Sequence, residues 1–298
     1  MLDAAMMRVR FLAALVLVAV PAALPAQAAE RFGEGLLWRI EGKGAAPSHV
    51  LGTIHLADSR VTKLPPPVER EFKGARSLTI EAGLDPGNLV AVVNRMVYSD
   101  GRSLPAVAGD DLYKRAVALT DSLGLPEPLA RQFKPWALAL MLSSPQQDPS
   151  SVLDYMLARM AQEQGKTVLE LESLDEQASI FDEMSEADQV ALLRHAVTHY
   201  GRLAKDTARL TDVYLKRDLS AMWRISEESS STSADAKRVN EVFAQRLIFD
   251  RNTRMVERMQ PTLGQGRAFI AIGALHLYGD RGVLALLERQ GYKVTRVY

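Results

Sequence analysis

The sequence predicts an α/β (α+β-like) fold, with a central mixed sheet formed by N- and C-terminal strands and a long helical middle region covering or capping it. Short apolar runs bounded by turn residues stand near the start of the chain, at 36–40, 48–54 and 77–80. Similar runs return near its end, at 268–272 and 292–297. The stretch between them has mostly helical patterning, broken by one brief strand-like run at 166–171. Strands at both ends of one chain most economically share one sheet, and the helices between them then lie on or over it.

Taken in order, 36–40 and 48–54 read as two strands joined by turn-prone 41–47, a hairpin-like opening. Pro65-Pro66-Pro67 precedes a short helix at 68–73, where proline at the start sacrifices no needed N–H. The strand at 77–80 ends on Glu81. From 88 to about 160 the pattern is helical, with breaks at Gly101, Pro105, Gly124, Pro126 and Pro145. The strand at 166–171 sits between Gly165 and Ser173. Helix resumes over 174–249, interrupted by Ser-rich 226–233, which reads as an exposed loop. After the strand at 268–272 come a helix at 283–289, Gly291 as its cap, and the last strand. The expected organisation is a leader over 1–28 and one domain over 29–298, with a helical insertion about 86–265.

The leader follows from Arg8 and Arg10, the apolar run 11–20, the breakers Pro21 and Pro25, and the small-x-small Ala26-Gln27-Ala28. The apolar run is shorter than the ~20 residues a membrane span needs. Cleavage is therefore expected after Ala28, with a periplasmic or secreted product and no stable membrane anchor. The chain has 298 residues, 47% hydrophobic and 24% charged, enough apolar material for a sizeable core. Lys+Arg and Asp+Glu balance at 36 each, so no basic footprint points to nucleic acid or an anionic membrane surface. With no cysteine, disulfides, thiolate metal sites and a Cys nucleophile are excluded, and metal ligands must be His, Asp, Glu or backbone groups.

Chemistry enters through a duplicated pattern. Val50-Leu51-Gly52-Thr53-Ile54-His55-Leu56 parallels Ile270-Ala271-Ile272-Gly273-Ala274-Leu275-His276-Leu277. Each is an apolar strand, a glycine, two residues, a histidine and a leucine. Gly52 and Gly273 at strand ends allow a sharp turn or a close approach. The histidines then fall just past the carboxyl edge of the sheet, where open α/β sheets place ligands. One Gly-x-x-His alone reads more simply as a hydrogen-bonded structural histidine. Two of five histidines sharing that context, at opposite ends of the chain, favour a site. Glu81 closes a third apolar strand, as a metal ligand, a general base or an exposed strand end. Two imidazoles and a carboxylate suit Zn, Mn, Co or Fe, and such a centre activates water, which predicts hydrolysis.

Other groups are weaker. His195 and His199 stand at i and i+4, but Ala196 occupies the place where the zincin signature needs its Glu, so a helix face is the simpler reading. His49 precedes its strand and receives no role. Glu170 and Glu172 share one face of a strand, and for Glu172 a surface position is the simpler expectation. Arg251-Asn252 offers donors for an oxyanion or carboxylate. Ser143-Ser144 and 226–233 lack a nucleophile-elbow context, and neither a phosphate-binding loop nor a dinucleotide fingerprint occurs.

Together these pieces resemble the TraB/GumN family, which includes the Tiki-type metalloproteases. The resemblance runs from Leu37-Trp38-Arg39-Ile40 and Leu51-Gly52-Thr53-Ile54-His55 through Leu64-Pro65-Pro66-Pro67-Val68 and Leu78-Thr79-Ile80-Glu81. It continues with Lys134-Pro135-Trp136, Leu153-Asp154 and Gly165-Lys166-Thr167-Val168-Leu169-Glu170-Leu171-Glu172. It ends with Asp250-Arg251-Asn252, the strand leading to His276, Gly279, Gly282-Val283 and Gly291-Tyr292. It implies a fold related to erythromycin-esterase-like and ChaN-like proteins, and metal-dependent proteolysis near substrate N-termini supported by Mn or Co. By match of motif, His55, Glu81 and His276 would be the metal-site residues, and Arg251 and Asn252 polar active-site residues. Thr253-Arg254-Met255 departs from the aromatic residue expected soon after Asn252. The expected function is thus a divalent-metal-dependent hydrolase of peptide or protein substrates. The competing readings are a haem, iron or small-ligand binder without turnover, and an envelope assembly factor.

Overall fold

A computed structural model describes residues 31–42, 44–83, 86–228 and 241–298. The expected leader, residues 1–28, lies outside the described residues, as do 229–233 of the expected Ser-rich loop. Residues 226–228 are instead the end of the helix Leu219–Glu228.

Six strands form one mixed sheet in the order β4-β3-β5-β2-β1-β6. They are β1 Leu37–Gly42, β2 Ala45–Thr53, β3 Ser77–Ile80, β4 Thr167–Glu170, β5 Ala268–Gly273 and β6 Lys293–Arg296. β4, β3, β5 and β2 run parallel, while β1 is antiparallel to both β2 and β6. This is the predicted α/β sheet of N- and C-terminal strands, extended at one edge by β4 from the helical middle. The strands of the opening hairpin reach further into residues 41–47 than their apolar runs suggest, pairing Gly42 with Ala45.

β5 is the centre. Its residues Ala-Phe-Ile-Ala-Ile-Gly are all buried, as a parallel strand covered on both faces requires. The end strands β4 and β6 are mostly exposed. Among the described residues between β3 and β5, β4 is the one strand and the rest is mostly helical. Its core includes the helix Pro135–Leu142, apolar nearly all round and buried on nearly every residue, as a helix enclosed by others must be. The helix Leu174–Asp182 starts with a capping box, Ser173 accepting from Glu176 N–H and Glu176 accepting from Ser173 N–H. Among the described residues no helix is long and apolar enough to cross a membrane.

Candidate functional site

Strand register builds the site. β2 and β5 pair so that Gly52 faces Ile272 and Thr53 faces Gly273. Both Gly-x-x-His segments therefore leave the sheet side by side at its carboxyl edge. β3 flanks β5 on the other side, with Ile80 opposite Ala271, and delivers Glu81 to the same edge. Both glycines sit in crowded places, Gly52 the more severely. A Cβ on Gly52 would lie 2.8 Å from Leu277 Cδ1 and 3.0 Å from Ala274 Cα. One on Gly273 would lie 3.2 Å from Glu81 Oε1 and 3.4 Å from His276 Cδ2.

His276 closes a short 3₁₀ turn after β5 and is 4% exposed. Its Nδ1 lies 2.6 Å from Asn252 Oδ1, and Asn252 Nδ2 donates to Arg281 O at 2.8 Å. The second bond fixes which end of the amide is oxygen, so His276 Nδ1 carries the proton and Nε2 is left with its lone pair. That lone pair faces Glu81 Oε1 at 3.5 Å. Burial pushes the His276 pKa down to about 3, against the pull of Glu81.

His55 is oriented in the same way. Its Nδ1 meets Asp154 Oδ2 at 2.8 Å, and Asp154 Oδ1 accepts the Thr53 hydroxyl at 2.7 Å. Burial opposes a charge on His55, but the Asp154 carboxylate outweighs it by charge and hydrogen bond, and the pKa rises to about 9. In both histidines the outer nitrogen is anchored and Nε2 is not, the orientation that metal-ligating imidazoles adopt.

Glu81 is buried yet ionised. Burial raises its pKa, but Arg251 first, then His276, His55 and the Gly273 N–H, bring it down to about 2. Oε1 accepts Gly273 N–H at 2.6 Å and Oε2 accepts Arg251 Nη2 at 2.8 Å. Arg251, 2% exposed, also donates from Nε to Glu172 Oε2 at 2.8 Å and from Nη1 to Leu247 O at 3.1 Å. Glu172 is 3% exposed rather than at the surface, because the chain past β4 keeps pairing with β3, Glu172 N–H donating to Glu81 O at 2.8 Å. Its Oε1 has no hydrogen-bond partner, and Arg254 Nη1 stands 3.7 Å away.

The structure thus brings His55, Glu81 and His276 to one edge. It sets Arg251 and Asn252 behind them, with hydrogen bonds already made to Glu81, Glu172 and His276. Glu170 is exposed, and the space beside its carboxylate is kept open by Gly83. His195 and His199 stack at 4.1 Å on their own helix, and His49 lies 3.5 Å from Glu71. Asp154, the partner of His55, is not recognisable as a site residue from its own stretch of sequence; it occupies the first turn of the helix Leu153–Glu163 and carries no local mark beyond an acid at a helix start. Tyr155 beside it is a second omission, its phenol pushed far up by burial and then by Asp154, Glu81 and Glu170. Among the described residues no group of three or more His, Asp or Glu is placed closely enough to hold a metal ion as it stands. What the chain offers is an open donor set.

The sequence model of the TraB/PrgY/gumN family matches residues 36–296. The chain is 22% identical over 255 residues to the uncharacterised protein YbaP of Shigella flexneri, covering 82% of this chain and 89% of that one. It is 24% identical over 310 residues to the metalloprotease TIKI2 of Danio rerio, covering 87% of this chain. Of that longer relative the match spans 60%. The metalloprotease TIKI1 of Danio rerio is 25% identical over 310 residues, 87% of this chain and 62% of the relative. No solved structure matches at a significant level.

Proposed function

This chain belongs to the TraB/PrgY/gumN family, and from that premise we propose that it is a divalent-metal-dependent hydrolase of peptide substrates, exported to the periplasm. Similarity to proteins named metalloproteases supports the reaction class. The leader pattern at 1–28 supports export.

One observation carries the metal. His276 Nε2 and Glu81 Oε1 face each other at 3.5 Å, and both are acceptors. Two lone pairs repel across such a gap unless a cation joins them. His55 adds a second imidazole with an unanchored Nε2. Around them the carboxyl groups of Glu81, Glu172 and Asp154 stand with the guanidinium of Arg251, and Arg254 reaches Glu172 from 3.7 Å. The pair of Glu81 and His276, with His55 at the same edge, is the donor set we propose for a small divalent ion. A porphyrin does not fit at a histidine 4% exposed and in contact with Glu81. Bound there, a divalent ion supplies Lewis acidity toward a carbonyl and toward water.

The chain's own residues have separable tasks. Asp154 and Asn252 hold the two rings and keep their protons on Nδ1. Arg251 holds Glu81 charged and fixed. Glu81, with a pKa near 2, is a weak proton acceptor while paired and serves as an anionic donor.

Elemental analysis of protein purified without chelator tests the reading, alongside His55→Ala and His276→Ala. Both substitutions are expected to remove bound metal, and with it hydrolysis of casein-derived peptides in Mn2+, Co2+ or Zn2+. Unchanged metal content in both variants sinks the proposal.

A further inference from the structure

An open cleft of about 510 Å3 begins where the first Gly-x-x-His segment ends. Leu56, the residue after His55, forms part of its floor. Gln147 pins this stretch, donating from Nε2 to His55 O at 2.7 Å and accepting Ala57 N–H at 2.9 Å. The opposite wall is the helix Leu203–Leu215, whose Ala204, Thr207, Ala208 and Thr211 recur at i, i+3, i+4 and i+7 and so share one face. Small side chains there leave the space open. The same helix is fixed to the histidine edge, because Tyr214 O–H donates to Gly52 O at 2.9 Å. Floor and far wall are therefore both tied to the strand that presents His55.

We infer that this cleft is the subsite that receives an uncharged apolar side chain of the peptide substrate as its backbone passes His55, an inference that rests on the peptidase reading. The volume falls in the range of ligand pockets, roughly 300–1,000 Å3. The charged groups at the mouth are occupied with one another, Arg60 donating to both oxygens of Asp58 and, at 3.3 Å, to Asp212. A charged substrate group entering the cleft would lose water against a mainly apolar lining without a free counter-ion. The Thr207 hydroxyl makes no hydrogen bond within the protein, so turning it toward a bound backbone group breaks none.

The test uses fluorescein-labelled Gly-Ser decapeptides carrying one central Leu, Phe, Lys or Asp, with binding followed by anisotropy and cleavage by mass spectrometry. Protein loaded with Mn2+ is compared with Ala204→Trp and Ala208→Trp, both at exposed helix positions that fill the cleft. Leu and Phe peptides are expected to bind the wild type at least about tenfold tighter than Lys or Asp peptides, a difference of ~1.4 kcal/mol. That preference is expected to vanish in both variants while helical circular dichroism and metal content stay unchanged. Equal affinities in wild type and variants, no preference among the peptides, or no peptide bound at all each overturn the subsite. Cleft-dependent binding without cleavage keeps the subsite and discards the hydrolase. Metal-dependent cleavage insensitive to both tryptophans does the reverse.

Discussion

Asp154 Oδ2 sits 2.8 Å from His55 Nδ1, across 99 residues of chain, while its other oxygen accepts the hydroxyl of Thr53 from the same segment as the histidine. One carboxylate thus fixes both the tautomer and the strand end that carries the ring. Asn252 does the corresponding work for His276 without a charge. The two imidazoles share a motif but not an electrostatic setting, one pushed up to about 9 and the other down to about 3.

Asp154→Asn is expected to lower the His55 pKa well below 9 and to weaken metal binding roughly 10- to 100-fold, the usual effect of losing an outer partner. Histidine NMR titration reads the first effect and calorimetry with Mn2+ the second. A His55 pKa that stays at its wild-type value refutes the link.

Arg251→Ala leaves two buried carboxylates, Glu81 and Glu172, without their shared guanidinium. A loss of about 3–5 kcal/mol is expected in urea denaturation. Arg258→Ala breaks a half-exposed pair with Glu176 and is expected to cost about 1 kcal/mol or less. Equal costs for the two would show that burial does not control the network.

The two motif glycines separate stability from chemistry. Gly52→Ala forces a Cβ to within 3.0 Å of the backbone at Ala274 and is expected to cost about 1–3 kcal/mol in thermal unfolding. Gly273→Ala pushes on Glu81 and His276 from 3.2 and 3.4 Å, a milder crowding at the donors themselves. Its larger effect is expected on metal affinity, by calorimetry. A Gly273→Ala protein with wild-type affinity contradicts the assignment of that gap to an ion.

His195 supplies a pH signature away from the site. Burial, and then the neighbouring His199 and Arg202, bring its pKa from 6.5 to about 4. Between these values the unfolded chain binds more protons, so its contribution is complete above pH 6.5 and is lost as pH falls toward 4. The urea midpoint is expected to drop between pH 7.5 and pH 5, with His195→Gln losing less by on the order of 1 kcal/mol, its partial exposure taken into account. Identical pH profiles refute this.

Much of the architecture was legible because it is local. The run 77–80 coincides with β3 and the run 268–272 ends one residue short of β5, since continuous apolar runs with sharp ends leave few alternatives. The histidines and Glu81 were legible because each follows a strand end directly. Their partners were not. An acid in the first turn of a helix, as Asp154 is, has a sufficient explanation in the helix dipole. Glu172 and Glu170 share one strand face like any i, i+2 pair, and nothing local shows that Arg251, far along the chain, covers one and leaves the other exposed. For Arg251 and Asn252 the residue types were informative and their direction was not. The π-helical stretch Ala244–Phe249 runs directly into their helix Asp250–Arg258, and that winding has no signature in periodicity.

The sheet order also has a consequence for biogenesis. β5 lies between β2 and β3, so neither of those strands can complete its ladder until residues near 270 have emerged. A nascent chain holds His55 and Glu81 on separate, half-paired strands. The edge that carries His55, Glu81 and His276 therefore assembles late and in one step, once synthesis is nearly finished, which makes folding slow for a chain of this size.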